Sequence, residues 1–195
     1  MTFSFDLASP GTYLAAERAE RLLPGMLWRP VLPGSLHADA SLLSRDAELR
    51  AASVRAAELR MPLVRPERYP TGGRAAMRVA AFAAERGQAP AFVLAACRLA
   101  FCGGFDLDDP EILAEAAAAA SLPLEDCLRS AGDRGLDAAM EAAGRGLVAA
   151  GADRLPVFGV GRLLLCGEER LPLAAAAFRD LSVEARSAPL DGSAG

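Results

Sequence analysis

Phe3-Ser4-Phe5-Asp6-Leu7-Ala8-Ser9-Pro10-Gly11-Thr12-Tyr13-Leu14 changes period at Ser9. Residues 3 to 7 alternate apolar and polar, the period of a half-buried strand. Ser9-Pro10 is a helix start, serine at the N-cap and proline at the first helical position, where its missing N–H is not needed. Tyr13, Leu14, Ala16, Ala19, Leu22 and Leu23 then carry an apolar stripe to the stop at Pro24-Gly25. Residues 26 to 32 read as a second strand, which Pro30 and Pro33 confine to a sheet edge because proline cannot donate to a ladder. The chain therefore opens strand, helix, strand.

At the other end, Gly159-Val160-Gly161 lies between two short apolar runs, so it reads as a hairpin turn rather than a phosphate loop. Residues 167 to 178 form a closing helix, and the tail from residue 182 is expected to be disordered. Between the two ends the periodicity predicts helices over residues 40–59, 73–86, 90–101, 112–120, 122–130 and 133–150, with an extended stretch at 63–70. Asp108-Asp109-Pro110-Glu111 supplies a cap, a first-turn proline and an acid that complements the free N–H groups of a helix start. Because an isolated two-stranded piece is marginal in water, the strands at the two ends must share one sheet. The fold class is α/β: a thioredoxin-like mixed four-stranded sheet with a large all-helical insertion. Residues 1–35 and 133–181 make the thioredoxin-like part and residues 36–132 the insertion.

Composition narrows the chemistry. The 195 residues are 52% hydrophobic and 24% charged, which excludes a disordered chain. A net charge of −4 offers no basic field for a phosphate backbone, so no nucleic-acid partner is expected. All basic residues except His37 are arginine, which rules out a Schiff-base or P-loop lysine. Cys97, Cys102, Cys127 and Cys166 form no metal-ligand spacing, and His37 is the only histidine, so no metal site and no triad built on histidine are expected. The absence of a leader pattern or an apolar run of spanning length points to a cytoplasmic protein without a membrane partner.

Ser9 and Thr12 stand three apart at the start of the first helix, where a redox protein of this fold carries its two cysteines. Hydroxyls cannot exchange disulfides, so dithiol chemistry is excluded there. Ser9 reads either as a plain helix cap or as a donor to a ligand thiolate beside the positive helix end. Leu155-Pro156 precedes the hairpin, and the base rate for X-Pro bonds predicts trans. Glu168 and Glu169 read either as acids complementing a helix dipole or as acceptors for an ammonium group. Cys166 is a candidate reactive thiol, although a strand-end core cysteine is the simpler reading.

Phe5-Asp6-x-x-Ser9-Pro10-x-Thr12-Tyr13-Leu14, Arg29-Pro30-Val31, the run from Gly104 to Ala114, Leu155-Pro156 and Gly167-x-Glu169-Arg170-Leu171 together resemble the 2-hydroxychromene-2-carboxylate isomerases and kappa-class glutathione transferases. These belong to the DsbA-like thioredoxin superfamily. The resemblance covers about residues 3 to 178. It implies glutathione as cofactor and a small, aromatic, electrophilic substrate, with Ser9 as the catalytic hydroxyl on the glutathione sulfur. It further implies a binding role for Thr12, for Leu155 before a cis Pro156, and for Glu168 and Glu169 at the γ-glutamyl end, in a homodimer. The chain departs from the family pattern on the substrate side: it has no lysine, Gly11 replaces an aromatic residue, and Cys166 replaces a tryptophan. Arg45 and Arg50 are the charges available in the lysine's place, but a guanidinium is a planar fork and not a point charge. A binding protein that has kept the fold without catalysis is the alternative reading.

Overall fold

A computed structural model describes residues 1–32, 36 and 42–187. Four strands, β1 (Thr2–Phe5), β2 (Leu27–Pro30), β3 (Val157–Val160) and β4 (Leu163–Cys166), form one mixed sheet in the order β2-β1-β3-β4. β1 runs parallel to β2, with Phe3 opposite Trp28, and antiparallel to β3, with Phe3 opposite Phe158. The proline-bearing strand is at the edge, as its missing N–H requires. The β3–β4 turn uses Gly161 at φ +58°, a left-handed conformation that glycine adopts without a Cβ clash.

The parallel pair is bridged by helix α1 (Pro10–Leu22). The middle of the chain forms α2 (Leu42–Leu59), α3 (Arg74–Glu85), α4 (Ala89–Phe101), α5 (Pro110–Ala119), α6 (Leu124–Gly132) and α7 (Asp137–Ala149), and α8 (Leu171–Ser187) closes the fold. The single helix expected over residues 133–150 is instead a 3-10 turn at Arg134–Leu136 followed by α7, because Asp133 caps the turn by accepting from Gly135 N at 2.8 Å. The closing helix likewise opens with a 3-10 turn at Glu168–Arg170 and continues through Ser187, so the tail expected to be disordered from residue 182 is helical for six more residues. His37 and residues 188–195 lie outside the described residues. The sequence-based expectation of a trans Leu155-Pro156 bond is also corrected: that bond and Tyr69-Pro70 are both cis. Local propensity, the only basis for the trans expectation, favours trans in most X-Pro bonds.

One core runs from the sheet into α1, α3 and α4, centred on fully buried Phe3, Phe5, Tyr13, Phe92, Phe101 and Phe158. A smaller cluster of Val31, Leu36, Ala152, Leu155 and Val157 lies on the other side of the sheet, with Ala143 and Leu147 of α7 packed on it. The extended stretch at residues 63–70 is held by the loop after α4, through Val64 N to Phe101 O at 2.8 Å and Glu67 N to Gly104 O at 2.7 Å. The run from Gly104 onward is tied in the same way: Thr71 Oγ1 accepts from Leu107 N at 2.7 Å, and Asp108 accepts from Gly73 N at 2.8 Å.

α7 is fastened to α3 by Asp137, whose two oxygens each accept from Arg78 at 2.8 Å. Hydrogen bonding from Arg78 holds this carboxyl below the usual carboxylate range. A depressed acid stabilises the fold above its unfolded value of about 4 and ceases to do so as pH falls through its folded value. Asp137→Asn is therefore expected to cost about 1–2 kcal/mol near neutrality, the scale for charged hydrogen bonds. In chemical denaturation the gap between the two proteins should shrink below about pH 4; a gap independent of pH would contradict the assignment.

Candidate active site

The end of β1 and the start of α1 meet at Asp6 and Ser9. Asp6 is buried and its Oδ1 accepts from Ser9 N at 2.8 Å, which sets the entry of the chain into the helix. Ser9 occupies the N-cap position with extended backbone (φ −85°, ψ 122°), yet its side chain makes no capping bond. The hydroxyl points away from the helix axis and donates to Glu48 Oε1 of α2 at 2.9 Å. The plain-cap reading of Ser9 is thereby corrected: the first-turn bond is made by backbone alone, Thr12 N to Ser9 O at 3.0 Å.

α2 forms one wall of a cavity of about 310 Å³ here, presenting Glu48, Ala51, Ala52 and Arg55 at the i, i+3, i+4, i+7 spacing of a single helix face. The two alanines leave room, and the two charged residues bracket it. Ser9, Gly11 and Leu14 of α1 face them, and Leu155, Gly167, Glu168 and Glu169 complete the enclosure. The three loops that resemblance grouped, at Ser9, at Leu155-Pro156 and at Glu168-Glu169, thus do converge. Gly167 N donates to Pro156 O at 2.8 Å, which ties the second loop to the third. A Cβ at Gly11 would lie 3.3 Å from both Pro156 Cδ and Ser9 Oγ, so an aromatic residue here would fill the space between them.

The remaining members take distinct places. Thr12 is fully buried, lies behind the cavity rather than on its wall, and its Oγ1 makes no hydrogen bond among the described residues. Pro156 shapes the loop without lining the space. Glu168 is buried and receives two guanidiniums, Arg18 of α1 at Oε1 and Arg55 Nε of α2 at 3.0 Å. Glu169 is half-exposed and pairs with Arg154. Donating hydrogen bonds to these carboxylates raises the pKa of Arg55 and of Arg154 above the usual arginine value. An ammonium group arriving at either glutamate would therefore join an arginine rather than meet a bare carboxylate.

Sequence reasoning missed Glu48, Arg18 and Arg55. The only trace of Glu48 and Arg55 is the spacing Glu48-x-x-Ala51-Ala52-x-x-Arg55, which puts small residues between charges on one helix face, and Arg18 of α1 left none. Of the two arginines considered in place of a lysine, Arg45 is buried with Nη1 unpartnered among the described residues, and Arg50 is exposed. The thiols are not part of this wall: Cys166 packs beside the smaller core cluster, and burial pushes the Cys97 thiol far up. Among the described residues no group of side chains has the makings of a metal site, and no helix is long and apolar enough to cross a membrane.

A parallel strand pair bridged by a helix, an antiparallel hairpin, and a serine at the helix start opposite a cis-proline loop define a thioredoxin fold, here with a helical insertion of the DsbA type. Among solved structures, the chain is similar to a 2-hydroxychromene-2-carboxylate isomerase, with TM-score 0.76 and 18% identity over 95% of this chain and 97% of that one. It is also similar to a probable DsbA oxidoreductase from Streptomyces coelicolor, with TM-score 0.70 and 21% identity over 97% of this chain and 91% of that one. No family model and no curated protein matches the sequence.

Proposed function

We propose that the cavity at Ser9 binds glutathione and that the protein is a glutathione-dependent isomerase or transferase acting on a small, aromatic electrophile. The observation that carries this reading is the Ser9 hydroxyl, turned out of its capping role beside a cavity that Leu155, the residue before Pro156, also lines. The residues present fit a short zwitterionic peptide. Leu155 offers backbone polar groups at the cavity wall, and the Glu168 and Glu169 carboxylates alternate with Arg55 and Arg154 as partners for ammonium and carboxylate ends. Bound glutathione supplies a nucleophilic sulfur. Ser9 would hold that sulfur in place, the helix start would favour negative charge beside it, and the α2 wall would exclude water. Ser9 and Thr12 cannot form a disulfide, so the redox chemistry of thiol-bearing proteins of this fold is not carried over.

Calorimetric titration with reduced glutathione tests the reading. Binding in the micromolar to millimolar range is expected. Ser9→Ala should weaken it by about threefold to tenfold, the worth of one hydrogen bond, and Glu169→Gln should weaken it in the same sense. Absence of binding by the intact protein would overturn the proposal and favour the fold serving as a binding module for another ligand.

A further inference from the structure

A second cavity, of about 500 Å³, shares no lining residue with the one at Ser9. Its walls come from α1, from the end of α2 with the residues that follow it, and from α4. Four guanidiniums line it, those of Arg18, Arg21, Arg60 and Arg98, against the single carboxylate of Glu17, although the chain as a whole carries a net charge of −4. Two of the four are already paired. Glu17 accepts from Arg98 with both oxygens, at 2.5 and 2.7 Å, and Arg18 donates to Glu168 and to Leu14 O. The side chains of Arg21 and Arg60 have no hydrogen-bond or ion-pair partner among the described residues. The cavity therefore presents two uncompensated positive charges beside an apolar surface made by Leu59, Met61 and Pro62.

Arg60 holds a strained backbone. Its φ is +55°, in the left-handed region that a Cβ disfavours. The helix end that sets this angle is closed by Met61 N to Ala56 O at 2.9 Å and Arg60 N to Ala57 O at 3.1 Å, a pattern whose left-handed residue is ordinarily glycine. A cation at the end of α2 complements the helix dipole, as Arg21 does in the last turn of α1. That accounts for the sign of the charge but not for its position. An arginine inside the last turn of α2, which contains no basic residue, would serve the dipole at helical φ without strain. The left-handed residue instead sets a guanidinium on the wall of the cavity.

We propose that this cavity binds a small phosphate monoester with an apolar body, its head held by Arg21 and Arg60 and its body lying on Leu59, Met61 and Pro62. A phosphate monoester carries about two negative charges near neutrality, which matches the two unpaired guanidiniums. The planar fork of each guanidinium suits the geometry of phosphate oxygens. The cavity has the size of a small-molecule site. Cys102 lines it too, with Sγ 3.1 Å from Tyr13 Oη, and serves as a reporter of occupancy. The inference is independent of the glutathione reading, since it uses no residue that lines the Ser9 cavity.

Calorimetry of the intact protein with phenyl phosphate tests the assignment, and binding of one equivalent in the micromolar to millimolar range is expected. Inorganic phosphate, which lacks the ring, should bind at least about fivefold more weakly. Benzoate, which keeps the ring but carries a single charge, should bind at least about threefold more weakly. Arg21→Gln and Arg60→Gly should each weaken phenyl phosphate binding by about threefold to fivefold, the worth of an exposed ion pair. Arg60→Gly should do so without lowering Tm, because glycine adopts the left-handed conformation freely. Saturating phenyl phosphate should slow alkylation of Cys102 by iodoacetamide, followed by mass spectrometry, and leave alkylation of Cys166, which lines neither cavity, unchanged. Absence of phenyl phosphate binding, binding that neither substitution weakens, or a Cys102 that stays unprotected would each overturn the site. Benzoate bound as tightly as phenyl phosphate would overturn the phosphate as its ligand. A lowered Tm in Arg60→Gly, together with full binding in Arg21→Gln, would reduce both arginines to complements of helix ends and overturn the proposal as well.

Discussion

Replacing Glu168 by alanine is expected to lower stability by about 3 kcal/mol, the lower end of the range for removing one partner of a buried ion pair. The lower end applies because Arg55 is about one-third exposed and can rehydrate. Arg18 cannot do so to the same extent, since its side chain is only 16% exposed. The Glu168 carboxylate joins three elements distant in sequence: the turn that opens the last helix, α1 through Arg18, and α2 through Arg55. In a chain of 195 residues such a loss should lower Tm by roughly 6–12 °C. Thermal unfolding at neutral pH measures it. The paired change Arg18→Met with Glu168→Leu should recover most of the loss, because a charge pair replaced by packed apolar groups costs little, whereas a stranded charge costs much. If Glu168→Ala melts like the wild type, the ion pairs are surface decoration and the cavity wall is held by something else.

The second large effect concerns the strand on which the whole sheet depends. Phe3 is fully buried, with its ring 4.7 Å from Trp28, 5.3 Å from Phe158 and 5.8 Å from Phe5. It stands at the register where the parallel and the antiparallel pairings of β1 meet. Phe3→Ala removes the side chain that joins three aromatic neighbours and is expected to cost about 4 kcal/mol, transfer and cavity terms together. Leu27→Ala, one register step away on the edge strand and 54% exposed, should change stability by no more than about 0.5 kcal/mol. Urea denaturation of the two variants makes the comparison. Equal losses would mean that the aromatic cluster is not the core of the sheet.

These two positions show how differently fold and site are written in the chain. Phe3, Phe5 and the Ser9-Pro10 helix start could be read directly, because strand alternation and helix capping act between residues at most four apart. The edge placement of β2 followed from proline alone. The element boundaries at the ends of α7 and α8 were less legible, since a 3-10 turn and a continued helix differ by single hydrogen bonds. Residues 133–136 and 182–187 fell on the wrong side of that difference.

The site was half legible. Ser9, Leu155, Glu168 and Glu169 were marked by their places at a helix start, before a proline and at another helix start, and they do line one cavity. Arg18 carried no local mark, and Glu48 and Arg55 only their spacing around two alanines. Glu48 reaches Ser9 across 39 positions, and Arg18 reaches Glu168 across 150. Nothing at Glu48 in the sequence distinguishes it from the other acids on helices, which ordinarily stay solvated. The docking of α2 against α1 turns that particular carboxylate onto Ser9. The same docking takes the serine proton out of the helix cap and leaves two glutamates already paired with arginine.

The three loops were grouped only by resemblance, whereas the sequence by itself determined the order and type of the secondary structure, the sheet edge, and the exclusion of lysine and dithiol chemistry. These rest on residue type and short-range periodicity, which fold-independent physics governs. Only the tertiary structure decided the isomer at Pro156, the partners of the buried charges and the direction in which the Ser9 hydroxyl points. Hydrogen bonds and ion pairs form between whichever groups packing brings within about 3 Å, and a chain read in one dimension does not contain those distances.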